Sequence, residues 1–284
     1  SSDLVGPVTG GGVPVDRATG QAATTFPRVS GSVTTCIADG AGGWYIGGAF
    51  EQVSGMPMRN IAHILPDGSL DAAWNPDADA AVRVLVLSGA VLYVGGEFSQ
   101  VRGQYRPHLV ALEAATGALT DWDPQAQSFV HSLAVSGSTV YVGGWFQNIG
   151  GQDRHYLAAV DADSGIATGW NPDPDTAVYT LAVQDSTVYV GGDFTQIGGQ
   201  SRTNLAALDA ATGKATSWNP KAYGRVLALL ISGPTLYVGG NFSTIGERLR
   251  NNLAALETAT GLATSWSPTV QAAAPVYAID RKSV

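Results

Sequence analysis

The chain has 284 residues, of which 13% are charged, with 15 Lys plus Arg against 23 Asp plus Glu and a formal net charge of −8. An acidic balance of that size repels a phosphate backbone, and no basic run interleaved with aromatics offsets it, so nucleic acid is not an expected partner. The single cysteine, Cys36, excludes an internal disulfide and every C-x-x-C metal or redox motif, and no apolar run approaches the roughly 20 residues of a membrane-spanning helix.

From the N-terminus, residues 1–32 carry VPVDRATG and ATTFP, which match the third and fourth strands of a unit repeated along the rest of the chain. Complete copies of that unit run over about 33–80, 81–128, 129–176, 177–224 and 225–272. Their shared mark is a hydrophobic strand ending in Gly-Gly-x-Phe. It reads YIGGAF, YVGGEF, YVGGWF, YVGGDF and YVGGNF, with first glycines at Gly47, Gly95, Gly143, Gly191 and Gly239. Trp74, Trp122, Trp170, Trp218 and Trp266 keep the same step. Self-similarity at roughly 40 to 50 residues is the signature of propellers and arrays.

Within the copy at 177–224, four short apolar runs, VYTLAV, TVYVGGDF, NLAALD and KATSWNP, are separated by a QDS turn, a TQIGGQSRT loop and an AATG turn. Their length, their β-branched and aromatic content and their bounding turn residues predict four strands, named a to d here. Tight a–b and c–d links force antiparallel neighbours. The runs are apolar at consecutive positions, so both faces of each sheet are expected to be covered, as in a radial stack of blades. In that stack Gly-Gly marks a close approach of backbones. Cys36, in TTCIAD, reads as a small buried hydrophobe.

After the last copy, residues 273–284 open with APVYAID, a repeat of strand a. The terminal fragments are complementary. Together they predict an all-β, six-bladed β-propeller of four-stranded antiparallel blades as one domain over 1–284. The sixth blade is a composite of 1–32 and 273–284, the arrangement that leaves no free sheet edge. Strand b of that blade is either LVGPV, through a TGGG hairpin, or missing, and a missing strand would make this chain part of a longer polypeptide.

The repeated VYVGGxF, the xIGGQxR loop, LAALDAATG and the closing TxWNP resemble the delta-60 repeat propellers of secreted and surface-attached bacterial proteins. The resemblance covers nearly the whole chain, and VGGNF has a more distant likeness to repeats of fungal cortical markers. It implies a propeller in an extracellular setting and carries no catalytic residues, because that family has no common activity. Two stretches depart from the pattern: ILPDGSLDAAW in the first complete copy and IGERLR in the last.

An up-and-down meander sends the longer b–c and d–a loops to one face, where binding residues are expected. Arg106, Arg154, Arg202 and Arg250 recur there, with Arg59 one position off register. They read as structural ties, the alternative being an anion-binding ring. NPDAD and NPDPD, with Asp77, Asp79, Asp173 and Asp175, read as turn chemistry, the alternative being calcium; no other cofactor is expected. A scaffold's needs are equal in every copy and a ligand's are not, so departures matter most. At the x of GGxF stand Ala49, Glu97, Trp145, Asp193 and Asn241, and the lone aromatic, Trp145, either stacks on a ligand or packs under its own loop. Candidate binding residues beside it are Tyr105, His108, His155 and Tyr156 on the loops, Arg83 and His131 near the start of strand a, and Tyr223 and Arg225 in the loop AYGR.

The four histidines lack metal-ligand spacing, and no HExxH, GxSxG, Walker or GxGxxG motif is present. The expected function is an extracellular, non-enzymatic binding or scaffold propeller engaging a protein or a glycan. The alternative is a carbohydrate-active enzyme with acidic residues at the channel mouth. A start at SSDLVG and only three lysines favour an exported protein.

Overall fold

A computed structural model describes residues 26–268 and 275–279. The predicted contributions of 1–25, 273–274 and 280–284 to a closing blade, LVGPV among them, lie outside the described residues. The chain divides into two compact units, 1–125 and 126–284. The described residues are all-β, without a helix.

The first unit holds two copies of the meander. Strands a, b and c are Val29–Ala38, Trp44–Val53 and Ile61–Ile64 in one, and Val82–Ser88, Val91–Gly96 and Leu109–Glu113 in the other. The second unit holds three: Val130–Ser136, Thr139–Gly144 and Leu157–Asp161; Val178–Gln184, Thr187–Gly192 and Leu205–Asp209; Tyr223–Ser232, Thr235–Ile245 and Leu253–Glu257. In every copy b lies between a and c, antiparallel to both.

Strand d is shorter than the sequence suggests. It is one antiparallel bridge per copy, such as Leu208↔Ala215, flanked by hydrogen bonds from Asp209 N to Lys214 O and from Thr216 N to Ala207 O. The ladder stops where the Thr216 hydroxyl accepts from the Trp218 N–H at 3.2 Å, a local turn in place of a cross-strand bond. The b–c loop is in turn more ordered than expected, folding into a small hairpin such as Gln196–Ile197 against Gln200–Ser201.

The two glycines of GGxF have separate jobs. A Cβ on Gly191 would lie 2.4 Å from Val226 Cγ1 of the next copy, and Gly143 and Gly47 face Val178 and Val82 at 2.6 and 2.5 Å. The first glycine is therefore where successive sheets touch. A Cβ on Gly192 would lie 2.2 Å from the Ala177 carbonyl of its own strand a, so the second permits the β-bulge that offsets a from b at Val178/Thr180. The phenylalanines that follow are buried, as are Trp74, Trp122, Trp170 and Trp218. The indole N–H of Trp218 donates to Glu257 O of the next copy at 3.2 Å, and Trp170 does the same to Asp209 O at 3.0 Å.

Residues 275–279 show how the pattern continues. Val276 sits 2.7 Å from a Cβ built on Gly239, the place Val226 takes against Gly191, and its N–H donates to Gly240 O at 3.0 Å. The expectation for Cys36 needs correction. It is exposed, because it lies on the alternating outward face of Val29–Ala38, the face that in the next copy is covered by the copy before it. Trp266 is partly exposed for the complementary reason, standing at the last d segment.

Candidate functional site

Strand a carries one extra residue at its bulge. In successive copies that residue is Thr34, Arg83, His131, Tyr179 and Leu227, lying between the paired positions on either side. The offset places it beside the x residue of GGxF on the neighbouring strand b. Where both positions carry large or charged side chains, they touch. Arg83 forms an ion pair with Glu97, His131 packs edge-on against Trp145 with centroids 6.1 Å apart, and the Tyr179 hydroxyl donates to Asp193 Oδ2 at 3.1 Å. In three of the five copies the bulge residue and the x residue are thus a coupled pair.

In the second unit these pairs join across copies. His131 lies 5.7 Å from Tyr179, ring centre to ring centre, and Arg225 Nε lies 2.8 Å from Asp193 Oδ2. The result is a continuous group, Trp145, His131, Tyr179, Asp193 and Arg225. Burial, reinforced by the Asp193 carboxylate, pushes the Tyr179 phenol above its ordinary value, so it remains a protonated donor at neutral pH. Trp145 is 52% exposed.

The remaining candidates lie elsewhere. Tyr223 is exposed two residues before Arg225 on the same strand, and Tyr105 is exposed on its b–c hairpin in the first unit. His108 and Tyr156 occupy one repeated backbone position with Asn60, Asn204 and Asn252, all with φ between 61 and 66°. This is a left-handed hinge before strand c, where asparagine is the usual choice. Tyr156 packs against the core from there. His155 Nδ1 contacts Asp173 Oδ1 at 2.9 Å, repeating the Arg59–Asp77 pair of the first copy; both tie a b–c loop to the turn that leads onward.

Two carboxylates of the acidic turns accept backbone hydrogen bonds. Asp79 Oδ1 accepts from the N–H groups of Ser99 and Gln100, and Asp175 Oδ1 from those of Thr195 and Gln196. Among the described residues no group of three or more His, Cys, Asp or Glu side chains is placed to hold a metal ion. The recurrent arginines are structural ties. Arg154 and Arg250 Nη2 donate to Thr168 O and Thr264 O at 2.7 and 2.9 Å, and the buried Arg202 bridges Ser201 O and Thr216 O.

Sequence reasoning passed over two features of the first unit. His63 lies between two carboxylates, Nε2 to Asp39 Oδ2 and Nδ1 to Asp71 Oδ2, each at 3.1 Å, and stacks on Tyr45 at 4.5 Å. The signal was the departure of ILPDGSLDAAW from the consensus. Burial raises the Asp39 carboxyl, but N–H donation from Ala41, the His63 contact and donation from Gly43 outweigh it and hold the group below its usual range. A cavity of about 640 Å³ is lined by Ser30, Ala49, Glu51, Arg59, Asn60 and Asp79. Of its two acids, Asp79 is already engaged as described.

A family model described as "Outer membrane protein assembly factor BamB" matches residues 62–284. No curated protein matches the sequence. Among solved structures, the chain is similar to one from the mitotic checkpoint complex (17% identity, TM-score 0.62, 92% of this chain and 72% of that one). It is also similar to the WD40 domain of Neurospora crassa Pan2 (12%, 0.55, 83% and 65%). A third similar structure is the extracellular domain of the putative hybrid two component system BT4673 from B. thetaiotaomicron (15%, 0.54, 83% and 27%). The chain thus spans just under two thirds of the Pan2 domain's length. At these identities the likeness concerns fold alone, and that fold is a β-propeller. No helix among the described residues is long and apolar enough to cross a membrane.

Proposed function

Since the chain belongs to the family of the outer membrane protein assembly factor BamB, we propose that it is a non-enzymatic binding or scaffold propeller. It is exported and works in surface attachment or an extracellular assembly, engaging a protein or a glycan through its b–c and d–a loops. The motifs it shares with delta-60 repeat proteins support a place among them. One observation carries the reading: the scaffold positions are alike in every copy, while the coupled pair at the bulge and at x changes from copy to copy and, in the second unit, links into an exposed group. Diversity concentrated on one side of an invariant scaffold is the pattern of a recognition surface.

The test is site-specific photocrosslinking in the producing cells. A photoreactive side chain at Trp145 or Tyr105 is expected to capture a defined extracellular partner, while one at Ser186 or Ala211, on a–b and c–d turns, captures none. Equal capture from both sets would refute the reading. Release of reducing ends from a polysaccharide, abolished by Glu51→Gln beside the 640 Å³ cavity, would instead establish the carbohydrate-active enzyme.

A further inference from the structure

The group around Trp145 has a chemistry narrower than binding in general. Resting on the reading above and deepening it, we infer that Trp145, His131, Tyr179, Asp193 and Arg225 form a subsite for a neutral oligosaccharide, with the indole as its stacking platform.

The platform comes first. Trp145 is half exposed, yet its ring is held by the edge-on contact with His131, which itself packs against Tyr179. A flat apolar face held still at the surface suits the C–H face of a pyranose, which is itself flat and carries its hydroxyls at the rim. The polar partners come second. Asp193 accepts from the Tyr179 hydroxyl and from Arg225 Nε. A carboxylate has about four lone-pair sites, so it retains capacity for hydroxyl donors. Arg225 meets Asp193 through Nε, and its side chain is 60% exposed, so the two Nη groups project beyond the ion pair. A donor and an acceptor fixed side by side match vicinal hydroxyls, each of which both gives and takes a hydrogen bond. Asn241, the backbone neighbour of Arg225 on strand b, adds an amide at the next x position.

Charge then selects the class. The only Lys or Arg in the group, Arg225, is compensated by Asp193, on a chain whose net charge is −8, so an acidic sugar gains nothing here and is repelled at longer range. Size separates a sugar from a protein. A stable protein interface buries about 800 Å² per partner around an apolar, charge-poor centre. In this group the aromatic platform is joined through His131 and Tyr179 to an ion pair. One ring flanked by a few placed polar groups is the composition of a small-ligand site.

Isothermal titration of the whole chain against cellohexaose, maltohexaose, xylohexaose and chitohexaose, with hexagalacturonate as the acidic comparison, tests this. At least one neutral hexamer is expected to bind more tightly than hexagalacturonate. Trp145→Ala should weaken that binding about tenfold or more, Trp145→Phe by less, and Arg225→Gln several-fold. Ile166→Ser, on an exposed c–d turn, should leave it unchanged. The side chains of Trp145 and Arg225 are solvent-exposed, so unchanged unfolding midpoints will show that the variants fold. Binding of no neutral hexamer, preference for hexagalacturonate, or equal affinity in Trp145→Ala overturns the inference. A protein crosslinked through position 145 in the absence of any sugar affinity also overturns it, while leaving the binding module standing.

Discussion

Gly191 offers a quantitative test of how successive copies lock together. A methyl group at this position would stand 2.4 Å from Val226 Cγ1, 2.7 Å from Thr180 Cγ2 and 3.0 Å from Val226 Cβ. All three atoms belong to β-branched residues on strands, which have little rotamer freedom to retreat. Overpacking of this kind costs about 1–3 kcal/mol, and for a domain of this size each kcal/mol shifts the midpoint by roughly 2–4 °C. Gly191→Ala is therefore expected to lower the melting temperature by about 2–12 °C. Gly169→Ala is the control: nothing lies within 4 Å of its added methyl and its φ is not left-handed, so it should be neutral or stabilise by up to about 1 kcal/mol. The decisive measurement is the double variant Gly191→Ala/Val226→Ala. Val226→Ala alone costs about 2 kcal/mol through lost burial and a cavity, but it also removes the clashing methyl, so the double variant should be more stable than the sum of the singles by at least about 1 kcal/mol. Chemical denaturation followed by circular dichroism and tryptophan fluorescence supplies the cycle. Additivity within about 0.5 kcal/mol, the behaviour of independent sites, would refute the close approach of sheets as the reason for the glycine.

The two kinds of arginine contact should separate by energy. Arg202→Met, which strips a buried side chain of hydrogen bonds to Ser201 O and Thr216 O, is expected to cost about 2–3 kcal/mol, whereas Arg59→Ala, breaking an exposed pair with Asp77, should cost at most about 1 kcal/mol; equal losses on urea titration would contradict the assignment. His108 supplies a pH test. Burial holds its imidazole below the ordinary 6.5, so the unfolded chain binds the proton first, and the contribution of this residue is complete above pH 6.5 and lost as pH falls through the lowered folded value. His108→Asn, which installs the residue found at the same left-handed position in three other copies, should raise stability at pH 5.5 more than at pH 7.5. A gain independent of pH would show that burial of the imidazole plays no part.

The repeat was legible because its causes are local or recur at a fixed step. Alternation of strand-forming residues with turn residues specifies a, b and c. The Gly-Gly pair, the buried Phe and the cross-copy Trp return every 48 residues because each copy meets the next in the same way. Trp145 stood out for the same reason, as an exception within a rule. The limits were local too: strand d ends early because in four copies a threonine hydroxyl takes the tryptophan N–H, and Cys36 lies exposed because its burial depends on a neighbouring sheet rather than on its own strand.

The unit, its strands and the positions that vary can all be read along the chain. Which variable residues meet is a matter of the folded arrangement. His131 and Trp145 are fourteen positions apart, and Asp193 and Arg225 thirty-two. The first pair is joined by a bulge of one residue in the strand register, and the second by the stacking of one copy on the next. Neither distance is written in the spacing of residues along the chain, because side-chain convergence depends on register and on the rotation between sheets. The same holds for His63, whose two carboxylate partners come from an a–b turn and from the segment after strand c.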